Sequence, residues 1–206
     1  MDTSMQSDFK SNAQIVAYLL LALVVTQAIF TVLFNMDIAG PRPFIWGLEV
    51  ILFTILAAFS GAALVQAGNN QLGWAAIAFG SVLNVVQVGI GLKMFGPFGG
   101  VAQQVETMGP LIGAVVGLSF LIYNAAKILL GLAALVFGMA KMNAGSKTLG
   151  GLTVAVGVIA LVANAILVIV GRDGFLPPPV AGASGVAATA LLALCLLNTA
   201  NHDETA

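Results

Sequence analysis

The sequence predicts an all-α protein, a polytopic bundle of six transmembrane helices forming one integral membrane domain over residues 1–206. Three observations predict it. The chain is 60% hydrophobic and only 7% charged, against roughly 25% charged in a soluble domain. Its mean hydropathy is +1.05. Six separate apolar runs are each about as long as the roughly 20-residue helix that crosses a hydrocarbon core. Lipid offers the backbone no hydrogen bonds, so each run must satisfy its own as a helix.

The first run is Ala13–Phe34, which follows a polar start, Met1–Asn12. That start carries Asp2 and Asp8 against Lys10, and the run outlasts an ordinary signal h-region, so it reads as a retained span. Asp37 to Pro43 breaks the chain before the second run, Phe44–Val65. Gly68-Asn69-Asn70-Gln71 is a tight polar turn before the third, Leu72–Phe95. Gly96-Pro97-Phe98-Gly99-Gly100 through Gly109-Pro110 reads as a longer loop carrying Glu106. The fourth run, Leu111–Met139, is the longest, about 44 Å as a helix, so it must tilt or protrude from a core of about 30 Å. Asn143 to Lys147 turns the chain into the fifth, Leu149–Val170. Gly171 to Pro179, with Arg172, Asp173 and three prolines, leads to the sixth and shortest, Val180–Leu197.

An even number of spans puts both termini on one side. Lys10, Lys141 and Lys147 lie on that side, and Arg42, Lys93 and Arg172 on the other, so the positive-inside count is balanced. Lys141 and Lys147 flank one short loop, which favours cytoplasmic termini.

Charge and motif content exclude several functions. Seven Lys+Arg against eight Asp+Glu leave no basic patch for nucleic acid. No nucleophile elbow, P-loop or His-Glu-x-x-His is present, so the chain does not read as an enzyme. His202, beside Asp203 and Glu204 in the polar tail, cannot supply paired haem ligands, and the three read as a solvated tail rather than a metal site. Cys195 is the single cysteine and reads as a small buried hydrophobe. Six spans with a lysine in the fourth do not fit a retinal protein, and no cofactor is expected.

Polar residues inside the spans are the candidate site. Asn84, Asn124 and Asn164 are spaced 40 residues apart, each followed seven residues later by Gly91, Gly131 or Gly171. That spacing suggests an internal repeat and places all three near mid-span. Gln87 and Lys127 lie one turn beyond the first two asparagines, on the same helix faces. Thr26, Gln27 and Thr54 fall at similar depth in the first two spans. Such a layer could form a midplane binding site or polar path. It could equally be interhelical hydrogen-bond glue.

Lys127 is the sharpest residue, because a charge at a helix centre costs roughly 2.5–3.5 kcal/mol on insertion scales. Glu49 is the one acidic group well inside a span and its possible ion-pair partner, though it lies nearer the interface. Their depths match only if the fourth helix is tilted or shifted. Snorkelling or structural pairing is the bland alternative for Lys127.

Gly109, Gly113 and Gly117 form a small-residue groove on the fourth helix, a packing face for another helix. Ala57 with Gly61, Ser184 with Ala188, and Gly131 with Gly138 extend the theme, and packing within the bundle would account for most of these faces. Trp46 and Trp74, near helix starts, read as an aromatic interface belt. Tyr123, beside Asn124, should need a hydrogen-bond acceptor.

Two functions follow. The first is a non-enzymatic accessory or structural subunit of the lipid bilayer, packing against itself as a homo-oligomer or against other membrane subunits. The second is a small-solute transporter or channel built on Asn84, Gln87, Asn124, Lys127, Asn164 and Gln27.

Overall fold

Proline, glycine and paired polar residues divide the apolar chain, and between them nothing interrupts helix formation. The computed structural model describes residues 3–38, 40–105, 108–171 and 176–202. Of these, 91% are helical and none forms a strand. The helices are α1 (Thr3–Asn35), α2 (Arg42–Gln66), α3 (Gln71–Ile90), α4 (Gly96–Gln104), α5 (Gly109–Asn143), α6 (Lys147–Val170) and α7 (Pro178–His202). A π-helical turn, Gly91–Phe95, joins α3 to α4.

Among the described residues, six stretches are long and apolar enough to cross a membrane: Ser7–Phe34, Arg42–Gln66, Gln71–Gln104, Gly109–Asn143, Lys147–Val170 and Pro179–Leu197. The chain is thus a multi-pass integral membrane protein of the predicted class, a helix bundle.

The segment from Gly96 to Gln104, expected as loop, is helix. Pro97 sits in the first turn of α4 and has no N–H to give to the turn before it. The π turn before it takes up the change in hydrogen-bond register. The third span therefore runs 34 residues and the fourth 35, against 24 or 25 for α6 and α2. Helices of that length reach about 50 Å, well beyond a core of about 30 Å. Among the described residues α4 packs only on the π turn and α5, so this helical hairpin extends past the neighbouring spans at the end away from the termini.

The spans form a closed ring in chain order. α1 packs on α2, α2 on α3, α3 on α5, α5 on α6, α6 on α7, and α7 closes the ring on α1. α5 also reaches inward to α7, whereas α1 and α5 make no backbone approach. The apolar core runs through this ring, with Leu20, Leu23, Phe53, Leu56, Ile77, Leu130 and Leu192 fully enclosed.

The tightest seam is α5 against α6. Gly138 and Gly150 face each other, and a Cβ on Gly150 would come within 2.6 Å of the Gly138 carbonyl oxygen. Gly131 and Gly157 meet in the same way one level along. Gly131 and Gly138 thus pack inside the bundle, as expected. Gly61, Gly109, Gly113 and Gly117 do not, because nothing lies within 4 Å of a Cβ at any of them. The aromatic belt also needs correction at one place. Trp74 is buried, with Phe9 and Phe137 edge-on at 5.8 and 5.0 Å between ring centroids. Trp46 is half-buried, between Phe30 and Phe95.

Candidate functional site

Among the described residues three charged side chains are buried, Lys141 near the C-terminal end of α5 and, deeper in the ring, Glu49 and Lys127. Glu49, seven residues into α2, is 5% exposed, and Lys127 on α5 is wholly enclosed. Neither charge is bare. The Thr26 hydroxyl of α1 lies 3.0 Å from Glu49 Oε1. The Lys127 ammonium donates to Gln27 Oε1, also on α1, at 2.9 Å, and sits 5.3 Å from the centre of the Tyr123 ring. The Glu49 and Lys127 charges attract each other through space without forming a direct salt bridge.

Helix geometry explains how the pair meets. The overshoot of α5 shifts Lys127 so that it comes level with Glu49, which lies nearer its own helix end. Lys127 must then cross the ring to reach α1. Gly185 on α7 makes that crossing possible, since a Cβ there would stand 2.9 Å from Lys127 Cδ. Tyr123 adds a ring face to the cation on the same side, which is a favourable placement for an enclosed ammonium.

The other predicted polar residues do not join this cluster through any hydrogen bond. Asn84 is buried and donates to the Gly80 carbonyl of its own helix at 2.9 Å. Gln87 donates to Ser119 Oγ at 3.2 Å, linking α3 to α5. Asn124 is buried on α5. Asn164 is wholly buried on α6 and donates to Ala160 at 2.7 Å and across to Ala181 of α7 at 3.3 Å, while its Oδ1 has no partner. Thr54 is exposed and bonds back to Val50. The polar layer thus resolves into one charged cluster on α1, α2, α5 and α7, and several separate contacts.

The three glycines of the 40-residue spacing have unrelated roles. Gly91 opens the π turn, Gly131 packs on α6, and Gly171 ends α6 with a φ of +80°. Gly109, Gly113 and Gly117 all face outward on the uncovered first half of α5. Cys195 is buried, with its Sγ 3.2 Å from Thr153 Oγ1. The side chain of His202, and Glu106, Arg172, Asp173, Asp203 and Glu204 entirely, lie outside the described residues.

Thr26 and Ser119 complete polar contacts that sequence alone did not assign to them. Thr26 was legible as a member of the mid-span polar layer but not as the partner of Glu49, and Ser119 only as a polar residue in an apolar run. The chain matches no family model, no curated protein and no solved structure.

Proposed function

We propose that this membrane protein is a non-enzymatic subunit that packs against a second copy of itself or another membrane chain. One observation carries the reading: the outward glycine face of Gly109, Gly113 and Gly117, with nothing within 4 Å of any Cβ position. Small residues at that spacing let the backbone of a partner helix approach closely. The stretch bearing them belongs to the hairpin that overshoots the rest of the bundle, and among the described residues only α4 and the π turn pack beside it, leaving the glycine face uncovered. The local bonding of Asn84, Gln87 and Asn164 fits the same reading, because Asn84 bonds within its own helix and Gln87 and Asn164 each reach one neighbouring helix.

Native mass spectrometry from mild detergent tests it. The expected result is a discrete oligomer or a stoichiometric membrane partner, lost on Gly113→Leu/Gly117→Leu substitution while the fold persists. A wild-type chain that purifies only as a monomer overturns the proposal.

A second reading, a small-solute transporter or channel, draws on the enclosed Glu49 and Lys127, because ionisable groups within spans ordinarily mark pathways. Solute flux into liposomes carrying the purified chain, abolished by Lys127→Met, would support it. Unchanged flux in that variant would remove Lys127 from the site.

A further inference from the structure

The cluster around Glu49 contains a hydroxyl with two places to send one proton. Thr26 Oγ1 lies 3.0 Å from Glu49 Oε1 and 3.0 Å from the Leu23 carbonyl oxygen. A threonine hydroxyl has one hydrogen to donate and two lone pairs to accept with. When Glu49 is a carboxylate, the Thr26 hydrogen can point at it. When Glu49 carries a proton, Glu49 can donate to Thr26 Oγ1, and the Thr26 hydrogen can turn to Leu23. Both states keep every hydrogen in this pair bonded, which matters because an unpaired polar group is costly in a dry interior.

The second feature is the separation of the two charges. Lys127 spends a hydrogen bond on the neutral Gln27 amide, so a proton arriving at Glu49 breaks no direct salt bridge. Among the described residues, the titratable groups facing Glu49 are Lys127 and Tyr123, both from α5, while α3, packed on α2, has no ionisable side chain and Lys93 of the π turn is exposed. α1 contributes Thr26 and Gln27, and α7 contributes Gly182 and Gly185 beside Tyr123 and Lys127, none of which ionises.

We propose that Glu49 is an intramembrane proton-binding site, with Thr26 as a two-way hydrogen-bond switch and Lys127 as the counter-charge that faces it. The step is simple in its balance: a hydronium ion gives its proton to the Glu49 carboxylate and leaves as water, and the reverse releases it. No other group changes charge. Net charge inside the ring rises by one, and the hydrogen bond between α1 and α2 reverses direction without being lost. This goes beyond the subunit reading and does not rest on it, since a monomer would carry the same site.

Infrared spectroscopy of the full chain in lipid bilayers tests the site directly. The chain has three glutamates, Glu49, Glu106 and Glu204. A Glu106→Gln/Glu204→Gln background labelled with carbon-13 glutamate therefore reports Glu49 alone, with its surroundings intact. The expected result is a labelled carboxyl band that grows as pH falls and disappears reversibly as pH rises. Thr26→Val should move that band to higher frequency, as the carboxyl loses its partner, and Thr26→Ser should restore it. A Glu49 that stays ionised, or stays protonated, across the whole range in which the chain is folded overturns the proposal. A titrating band that Thr26→Val leaves unmoved overturns it too.

Discussion

Lys127 and Gln27, 100 residues apart in sequence, meet at 2.9 Å across the centre of the helix ring. Their helices, α5 and α1, make no backbone approach, so a single long side chain joins two walls of the bundle. The contact exists because α7 places Gly185, rather than a larger residue, beside the lysine stem. Inserting a lone charge would be costly. Here the cost is offset by an amide oxygen, an aromatic face and the field of Glu49.

Removing one charge should therefore be worse than removing both. Lys127→Met leaves the Glu49 carboxylate enclosed without its counter-charge, at an expected loss of about 3 kcal/mol, the low end for a broken buried pair since the two are not in contact. Glu49→Gln should cost a similar amount. The double variant should lose less than the two single losses added together, and thermal unfolding in detergent of all four proteins measures the coupling. Strict additivity would mean that the charges do not support each other.

Gly185→Ala should act on the same contact from the third side. The added methyl meets Lys127 Cδ at 2.9 Å, and the lysine stem is flexible enough to yield. The backbone should therefore hold while the Lys127–Gln27 bond loosens. Gly182→Ala is the natural control, because its methyl meets only the Tyr123 hydroxyl at an ordinary 3.7 Å. Gln27 amide side-chain resonances, followed by NMR, should shift for Gly185→Ala and stay in place for Gly182→Ala.

The six spans were legible because lipid imposes a minimum apolar length and the breaks are rich in glycine and proline. The same rule misread Gly96 to Gln104 as loop, since a π turn can carry a helix past such residues, and the composition of Pro97 and its glycine neighbours does not reveal that continuation. Lys127 and Glu49 stood out because charge is scarce. Their proximity depends on a tilt or shift of α5, which composition does not reveal and which the overshoot of the hairpin supplies. The regular asparagine spacing misled for a physical reason. A period of 40 residues brings each asparagine to the inside of its own helix, but successive helices run in opposite directions and meet different neighbours. Asn84, Asn124 and Asn164 accordingly end in three different settings.

Asn164 offers a sharp contrast between two substitutions of nearly the same size. Its amide hydrogens serve the carbonyls of Ala160 and Ala181, while Oδ1 is buried without a donor. Asn164→Leu gives up those bonds and also removes the orphaned oxygen, so the expected net loss is about 1 kcal/mol or less. Asn164→Asp places a second oxygen against the two carbonyls in a dry interior, at an expected cost of several kcal/mol. Unfolding midpoints should rank wild type and Asn164→Leu close together and Asn164→Asp well below. Equal loss in both variants would show that the amide itself, rather than polarity matching, holds α6 to α7.

The adjacent glycines at the start of α6 make the cleanest test of the closest seam. A methyl at Gly150 would stand 2.6 Å from the Gly138 carbonyl oxygen and 2.7 Å from the Met142 nitrogen. Those are backbone atoms of α5, which cannot rotate aside as a side chain can, so the helices must part. Gly150→Ala should then cost about 1–3 kcal/mol, as overpacking does elsewhere. Gly151, the next residue, has nothing within 4 Å of its Cβ position. Gly151→Ala should be neutral or gain up to about 1 kcal/mol, because alanine favours the helical backbone over glycine. The two variants differ by one position and by the same methyl, so helix propensity cancels in their comparison. A lower unfolding temperature for Gly150→Ala alone would place the loss in the α5–α6 contact, whereas equal behaviour would mean that the two helices can separate slightly at no cost.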